Sequence, residues 1–198
     1  MSNKSKSQLK KVLLHSRNVY SNGYLRYDGF ELSPMPIPGK PGSYIANGSE
    51  HDSMGDTTHL PSRHIQMTER RFSKLNLLKD GDFEEENANS SIVLMPWGGS
   101  KGSVREAYNQ LRDSGLDVGW LYTMYLNPLP EDLLIKLRSK DLVIVPELNY
   151  QGQFSSILRS YGVKAKSITQ YTGLPFKVVD LVSSINDLVN QTNKAVIN

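Results

Sequence analysis

From Ser91 onward, two hydrophobic periods alternate along the chain. Short, nearly continuous apolar runs at 92–96, 118–123 and 142–146 predict strands, and a fourth strand is expected around 165–171. Each is followed by apolar residues at helical spacing: Val104, Ala107, Tyr108 and Leu111; then Leu133, Leu134 and Leu137; then Phe154, Ile157 and Leu158; and last a run over 178–190. Pro130 is well placed to start the second of these helices. Apolar strands separated by helices predict an α/β fold, a three-layer α/β/α arrangement around a mainly parallel sheet.

The first ninety residues follow no such rhythm. Residues 1–20 read as a basic tail. In 21–60, Gly, Pro, Ser, Asn and Asp recur too densely for a regular element, as in Pro34-Met35-Pro36-Ile37-Pro38-Gly39-Lys40-Pro41-Gly42. Tyr20, Tyr24, Tyr27, Phe30 and Tyr44 argue against plain disorder, so this stretch is expected to be an irregular linker packed on a partner surface. Pro61-Ser62 opens a helix spanning 61–80, with Ile65, Phe72, Leu75 and Leu78 near helical spacing. The acidic run Asp80-Gly81-Asp82-Phe83-Glu84-Glu85-Glu86 reads as a solvated connector over 81–90, and the α/β domain is expected to occupy 91–198.

Charge and composition narrow the chemistry. The 198 residues include no cysteine, which excludes thiol nucleophiles, thiolate zinc sites and cysteine-ligated iron–sulfur clusters on this chain. The net charge of +3 divides into +6 over 1–79, −5 over 80–91 and +2 over 92–198. The bases are scattered among acids and form no stripe with stacking aromatics, so nucleic acid is not an expected partner. No apolar run is long enough to cross a membrane, and the expected location is the cytoplasm. Early bases without acids overlap the composition of a transit peptide, but lysine outnumbers arginine there and a solvated tail fits better.

Three motifs carry candidate chemistry. Gly98-Gly99-Ser100-Lys101-Gly102-Ser103, between a strand and a helix, offers backbone donors to a phosphate; equally, its glycines permit a tight turn that Ser100 or Ser103 caps. Glu50-His51-Asp52, with His59 and His64 downstream, has a loose metal-ligand look, but a local hydrogen-bonded turn suits consecutive residues better. Glu147-Leu148-Asn149 closes an apolar strand at its carboxyl end, where α/β sheets place ligands; its carboxylate is either an acid–base group or the cap of the next helix. No Ser/His/Asp elbow or carboxylate pair is present, so no residue is assigned a catalytic or metal role.

Taken in order, these segments resemble one family. Asp28-Gly29-Phe30 with Ser33-Pro34, Pro38-Gly39-Lys40-Pro41-Gly42, Gly48-Ser49-Glu50-His51-Asp52-Ser53-Met54-Gly55, and Met67, Arg71, Lys74 and Leu75 look like the linker of the α subunit of 2-oxoacid:ferredoxin oxidoreductases. Trp97-Gly98-Gly99-Ser100-Lys101-Gly102 and Pro146-Glu147-Leu148-Asn149-Tyr150-Gln151-Gly152-Gln153 are similar to its following domain. The resemblance covers about residues 24–190 and implies a domain of the transketolase C-terminal type. It also implies coenzyme A-dependent oxidative decarboxylation of a 2-oxoacid, active only in a complex. Thiamine diphosphate, Mg and iron–sulfur clusters would sit on other domains or subunits. The expected partners are the thiamine-binding α domain, the β subunit and, through the complex, ferredoxin. Gly39, Pro41, Gly42, Glu50, His51, Asp52, Glu147, Asn149, Gly152 and Gln153 are expected to be structural or interface residues. The alternative is a non-catalytic module binding coenzyme A or a nucleotide at Gly98–Ser103, or an assembly scaffold.

Overall fold

The computed structural model describes residues 17–30 and 32–197, so most of the expected basic tail lies outside the described residues. Two compact units meet in sequence between Asp80 and Gly81.

Among the described residues the first unit has one α-helix, α1 (Pro61–Ser73), with Pro61 in its first turn where a missing N–H costs nothing. A 3-10 segment, Lys74–Leu78, follows it. The described residues between 17 and 60 form turns with two isolated bridges, Asn18 to Pro36 and His51 to Thr57. The face that α1 buries is not the one its apolar spacing indicates: Met67 and Arg70 are buried, whereas Ile65 and Phe72 are 57% and 67% exposed. Arg70 accounts for the difference. Its guanidinium donates to the Arg26 carbonyl (3.2 Å) and Ser33 Oγ (3.0 Å) and faces the Tyr27 ring at 5.9 Å, so the loop packs on the arginine side of the helix.

The tyrosines, expected to meet a partner, pack within their own unit. Tyr20 stacks on Tyr24 at 4.4 Å, and Tyr27 contacts both Tyr44 (5.4 Å) and His51 (4.1 Å). The Tyr24 and Tyr27 hydroxyls donate to the carbonyls of Pro34 and Ile45. A chain without regular ladders thereby satisfies its phenols and some of its carbonyls through side chains.

The second unit contains β1 (Phe83–Glu86), β2 (Ile92–Leu94), α2 (Lys101–Asp113), β3 (Gly119–Thr123), α3 (Glu131–Arg138), β4 (Leu142–Glu147), α4 (Gln153–Ser160), β5 (Ala165–Thr169) and α5 (Val178–Ile197). The sheet order is β1-β3-β2-β4-β5, parallel except for β1, which runs antiparallel to β3. Leu94, Trp120 and Ile144 pack under α2 and α5; Val93, Leu121, Val143 and Val145 pack under α3 and α4. Alternate residues of each central strand thus feed opposite layers, and each fully buried Leu or Val contributes about 1.5–3 kcal/mol. The expected three-layer, mainly parallel α/β fold is present.

Strand β1 corrects the expected 81–90 connector. Its acids alternate in and out of the edge: Glu84 and Glu86 meet Lys101 (2.7 Å) and Arg105 of α2, one helical turn apart, while Glu85 meets Lys136 of α3 at 3.0 Å. A run that is acidic by composition is therefore a period-two edge strand whose charges match cations on helices of both layers. Two smaller differences concern the ends of elements: Tyr171, expected in the last strand, lies beyond β5 and is 67% exposed, and Ile157 is 40% exposed on the outer side of α4.

Candidate functional site

Strands β2 and β4 both end in the candidate motifs, at the carboxyl edge of the sheet. At the end of β4, Glu147 is fully buried. Its carboxylate accepts from the backbone N–H groups of Phe154 (2.7 Å) and Ser155 (3.0 Å) and from Asn149 Nδ2 (3.0 Å). Asn149 Oδ1 in turn accepts from the N–H groups of Gly152 (2.8 Å) and Gln153 (3.2 Å). The free donors at the start of α4 are thus satisfied by two side chains from the preceding loop, with a negative charge at the positive end of the helix. Of the two readings of Glu147, the cap is the one the geometry supports. Gly152 is required by the same turn: its φ is +64° and a Cβ there would lie 2.7 Å from Ser167 Oγ.

After β2, Gly98–Ser100 forms a single 3-10 turn leading into α2. Ser100 is buried, donates from Oγ to the Trp97 carbonyl at 2.9 Å and accepts from the Trp97 N–H at 3.3 Å. It therefore ties the turn to the strand end, and neither it nor Ser103 caps α2 through its side chain. Gly98, Gly99 and Gly102 have open space beside them. Lys101, the cation that a phosphate would need, is paired with Glu84 and lies 3.9 Å from the centre of the Tyr122 ring. That hydrogen bond lowers the Glu84 pKa, and the charge on Lys101 is already matched by this carboxylate.

Glu50, His51 and Asp52 serve three different ends. Glu50 accepts from Arg71, at a short contact and at 3.3 Å, and pairs with His64 Nδ1, joining the loop to α1. His51 directs Nδ1 to the Asp52 carbonyl at 2.9 Å. Asp52 Oδ1 accepts from the N–H groups of Met54, Gly55 and Asp56 at 2.9–3.1 Å, closing a local turn. Gly39, Pro41 and Gly42 form another turn: the Pro41 carbonyl accepts from the Tyr20 N–H, and Gly42, at φ +88°, allows Tyr20 to approach where a Cβ would be 2.7 Å from its own.

The hydrogen bonds from Arg71, aided by His64 and the His51 N–H, hold the Glu50 carboxyl at about 2, against an ordinary value of 4.5. A depressed carboxylate adds stability above its unfolded value and loses it as pH falls through its folded value. The melting temperature of the wild-type chain should therefore exceed that of Glu50→Gln above about pH 4.5 and converge with it towards pH 2. A gap that persists unchanged at pH 2 would contradict this role.

Arg70 and the three glutamates of β1 are the structurally important groups that motif reading misses. The alternation of Glu84, Glu85 and Glu86 was the available signal for β1; no local signal marks Arg70.

Residues 90–186 match the family described as pyruvate:ferredoxin oxidoreductase core domain II. The chain is 34% identical over 150 residues to 2-oxoglutarate oxidoreductase subunit KorA of Mycobacterium tuberculosis, covering 71% of this chain and 22% of that protein. It is 35% identical over 120 residues to 2-oxoglutarate synthase subunit KorA of Methanocaldococcus jannaschii, covering 60% and 32%. A solved 2-oxoglutarate:ferredoxin oxidoreductase from Magnetococcus marinus, with 2-oxoglutarate, coenzyme A and succinyl-CoA bound, superposes with a TM-score of 0.71 at 33% identity, covering 87% of this chain and 32% of that one. The likeness extends over more residues than the second unit contains, so it includes part of the first. The chain thus spans between a fifth and a third of the length of these proteins. Residues 90–186 are a pyruvate:ferredoxin oxidoreductase core domain II, and the chain is homologous to part of the α subunit of 2-oxoacid:ferredoxin oxidoreductases.

Proposed function

We propose that this chain is an assembly-dependent part of a 2-oxoacid:ferredoxin oxidoreductase, contributing to coenzyme A-dependent oxidative decarboxylation without carrying the reaction alone. The observation that carries this reading is the likeness over 87% of the chain to a protein solved with 2-oxoglutarate, coenzyme A and succinyl-CoA. The internal use of the motif side chains supports it. Glu147 and Asn149 hold a helix start, Glu50 holds a loop on α1, and Lys101 is matched by Glu84.

Iron–sulfur clusters are ordinarily held by thiolates, and the chain has no cysteine. Among the described residues no three of His, Asp or Glu converge on a point suited to a metal. Thiamine diphosphate and the electron-transfer centres belong, in this reading, to other domains and subunits.

The chain's own part is to join them. Leu60, Ile65 and Phe72 leave an apolar stripe on and beside α1 at 57–67% exposure, a surface of the kind that partner domains cover. Purification of the tagged chain from its host should recover polypeptides with bound thiamine diphosphate and iron–sulfur absorbance. Recovery of a stable complex that holds neither would overturn the reading.

A further inference from the structure

The amino end of β5 borders a cavity of about 310 Å³ that no motif or relative draws attention to. Its walls come from both helical layers: Arg159 of α4, which packs on one face of the sheet, and Gln191 and Thr192 of α5, which packs on the other. With Asp141 and Leu142 also in its walls, the cavity lies at the amino end of β4 and β5 and shares Arg159 and Lys166 with the neighbouring outer edge of β5.

The edge itself is open. The Val143 N–H donates to the Lys164 carbonyl and the Gln170 N–H to the Glu147 carbonyl, so even-numbered residues of β5 face β4. Odd-numbered residues consequently present their backbone groups outward. The outward groups of Ala165 are occupied: its N–H donates to the Val163 carbonyl and its carbonyl accepts from Arg159 Nη1 at 3.2 Å. Those of Ser167 and Thr169 have no hydrogen-bond partner among the described residues. Two cations beside them are unmatched: among the described residues Arg159 contacts only serine hydroxyls and that carbonyl, and Lys166 is exposed, whereas Lys164 is paired with Asp141 at 3.6 Å.

We infer that the β5 edge is a docking site for an acidic, extended segment of another polypeptide, which adds a sixth strand beside Ser167 and Thr169 and sets carboxylates against Lys166 and Arg159. A second copy of this chain is the wrong occupant, because it would press this cationic rim against itself. The backbone supplies pairing and the basic rim selects the segment. This inference stands apart from the assembly reading, since it depends on the second unit alone.

Amide hydrogen exchange on the full 198-residue chain tests it. The probe is a terminally blocked peptide of alternating glutamate and valine at millimolar concentration, with a lysine–valine peptide as control. The acidic peptide should slow exchange at Ser167 and Thr169 by about tenfold, and the lysine peptide should not. Exchanging Lys166 and Arg159 for glutamate should reverse that preference. Thr169→Pro, which removes an outward N–H and no ladder bond, should abolish protection at Ser167 while core amides stay protected. Unchanged exchange with the acidic peptide, equal protection by both peptides, or protection that rises with protein concentration alone would each overturn the inference.

Discussion

Replacing Glu147 by alanine should lower the stability of the second unit by about 3 kcal/mol, with a fall in melting temperature of about 10 °C. The side chain is fully buried and accepts three hydrogen bonds, two of them from backbone N–H groups in the first turn of α4. Alanine leaves those donors in the interior without acceptors and removes the charge that complements the start of the helix. Glutamine should lose less, about 1–2 kcal/mol, because its carbonyl oxygen still accepts while its amide opposes one donor. Denaturant unfolding of the isolated chain measures both. A loss below about 1 kcal/mol for alanine would show that the carboxylate is not what holds the helix start. The same pair of variants distinguishes a cap from a general acid: a cap follows stability, whereas an acid–base group would lose turnover in a glutamine variant that melts normally.

The second large effect concerns assembly. Ile65→Glu and Phe72→Glu should each weaken association with the rest of the oxidoreductase by about 100-fold, close to 3 kcal/mol. Their effect on the isolated chain should stay within about 0.5 kcal/mol, because both side chains are already exposed to water. Binding by co-purified or reconstituted subunits gives the first number and thermal melting the second. Association as tight as wild type in both variants would remove α1 from the interface.

These two cases also show how far the residues alone can be read. The three central strands β2, β3 and β4 and the helices after them follow from apolar periodicity, because both faces of the sheet are covered there. Strand β1 escapes that reading. Glu84, Glu85 and Glu86 look solvated until Lys101, Arg105 and Lys136, on other elements, are placed beside them. For α1, spacing identifies Ile65 and Phe72 as sharing a face but not whether that face is buried. The decision rests with Arg70, whose partners Arg26 and Ser33 are 44 and 37 residues away. The motif positions at Glu50, Glu147 and Asn149 were visible from their order along the chain. Their roles were not, since a carboxylate that caps and one that reacts have the same sequence and differ in what lies within 3 Å.

In the proposed role this chain is a required, non-catalytic part of a 2-oxoacid:ferredoxin oxidoreductase. Its most direct test is 2-oxoacid-dependent reduction of ferredoxin by the purified partner subunits, measured with coenzyme A present, first without this chain and then with it added. The expected result is no turnover by the chain alone, little by the partners alone, and coenzyme A-dependent reduction when they are combined. Full activity of the partners without the chain, or turnover of a 2-oxoacid by the chain alone, would contradict it.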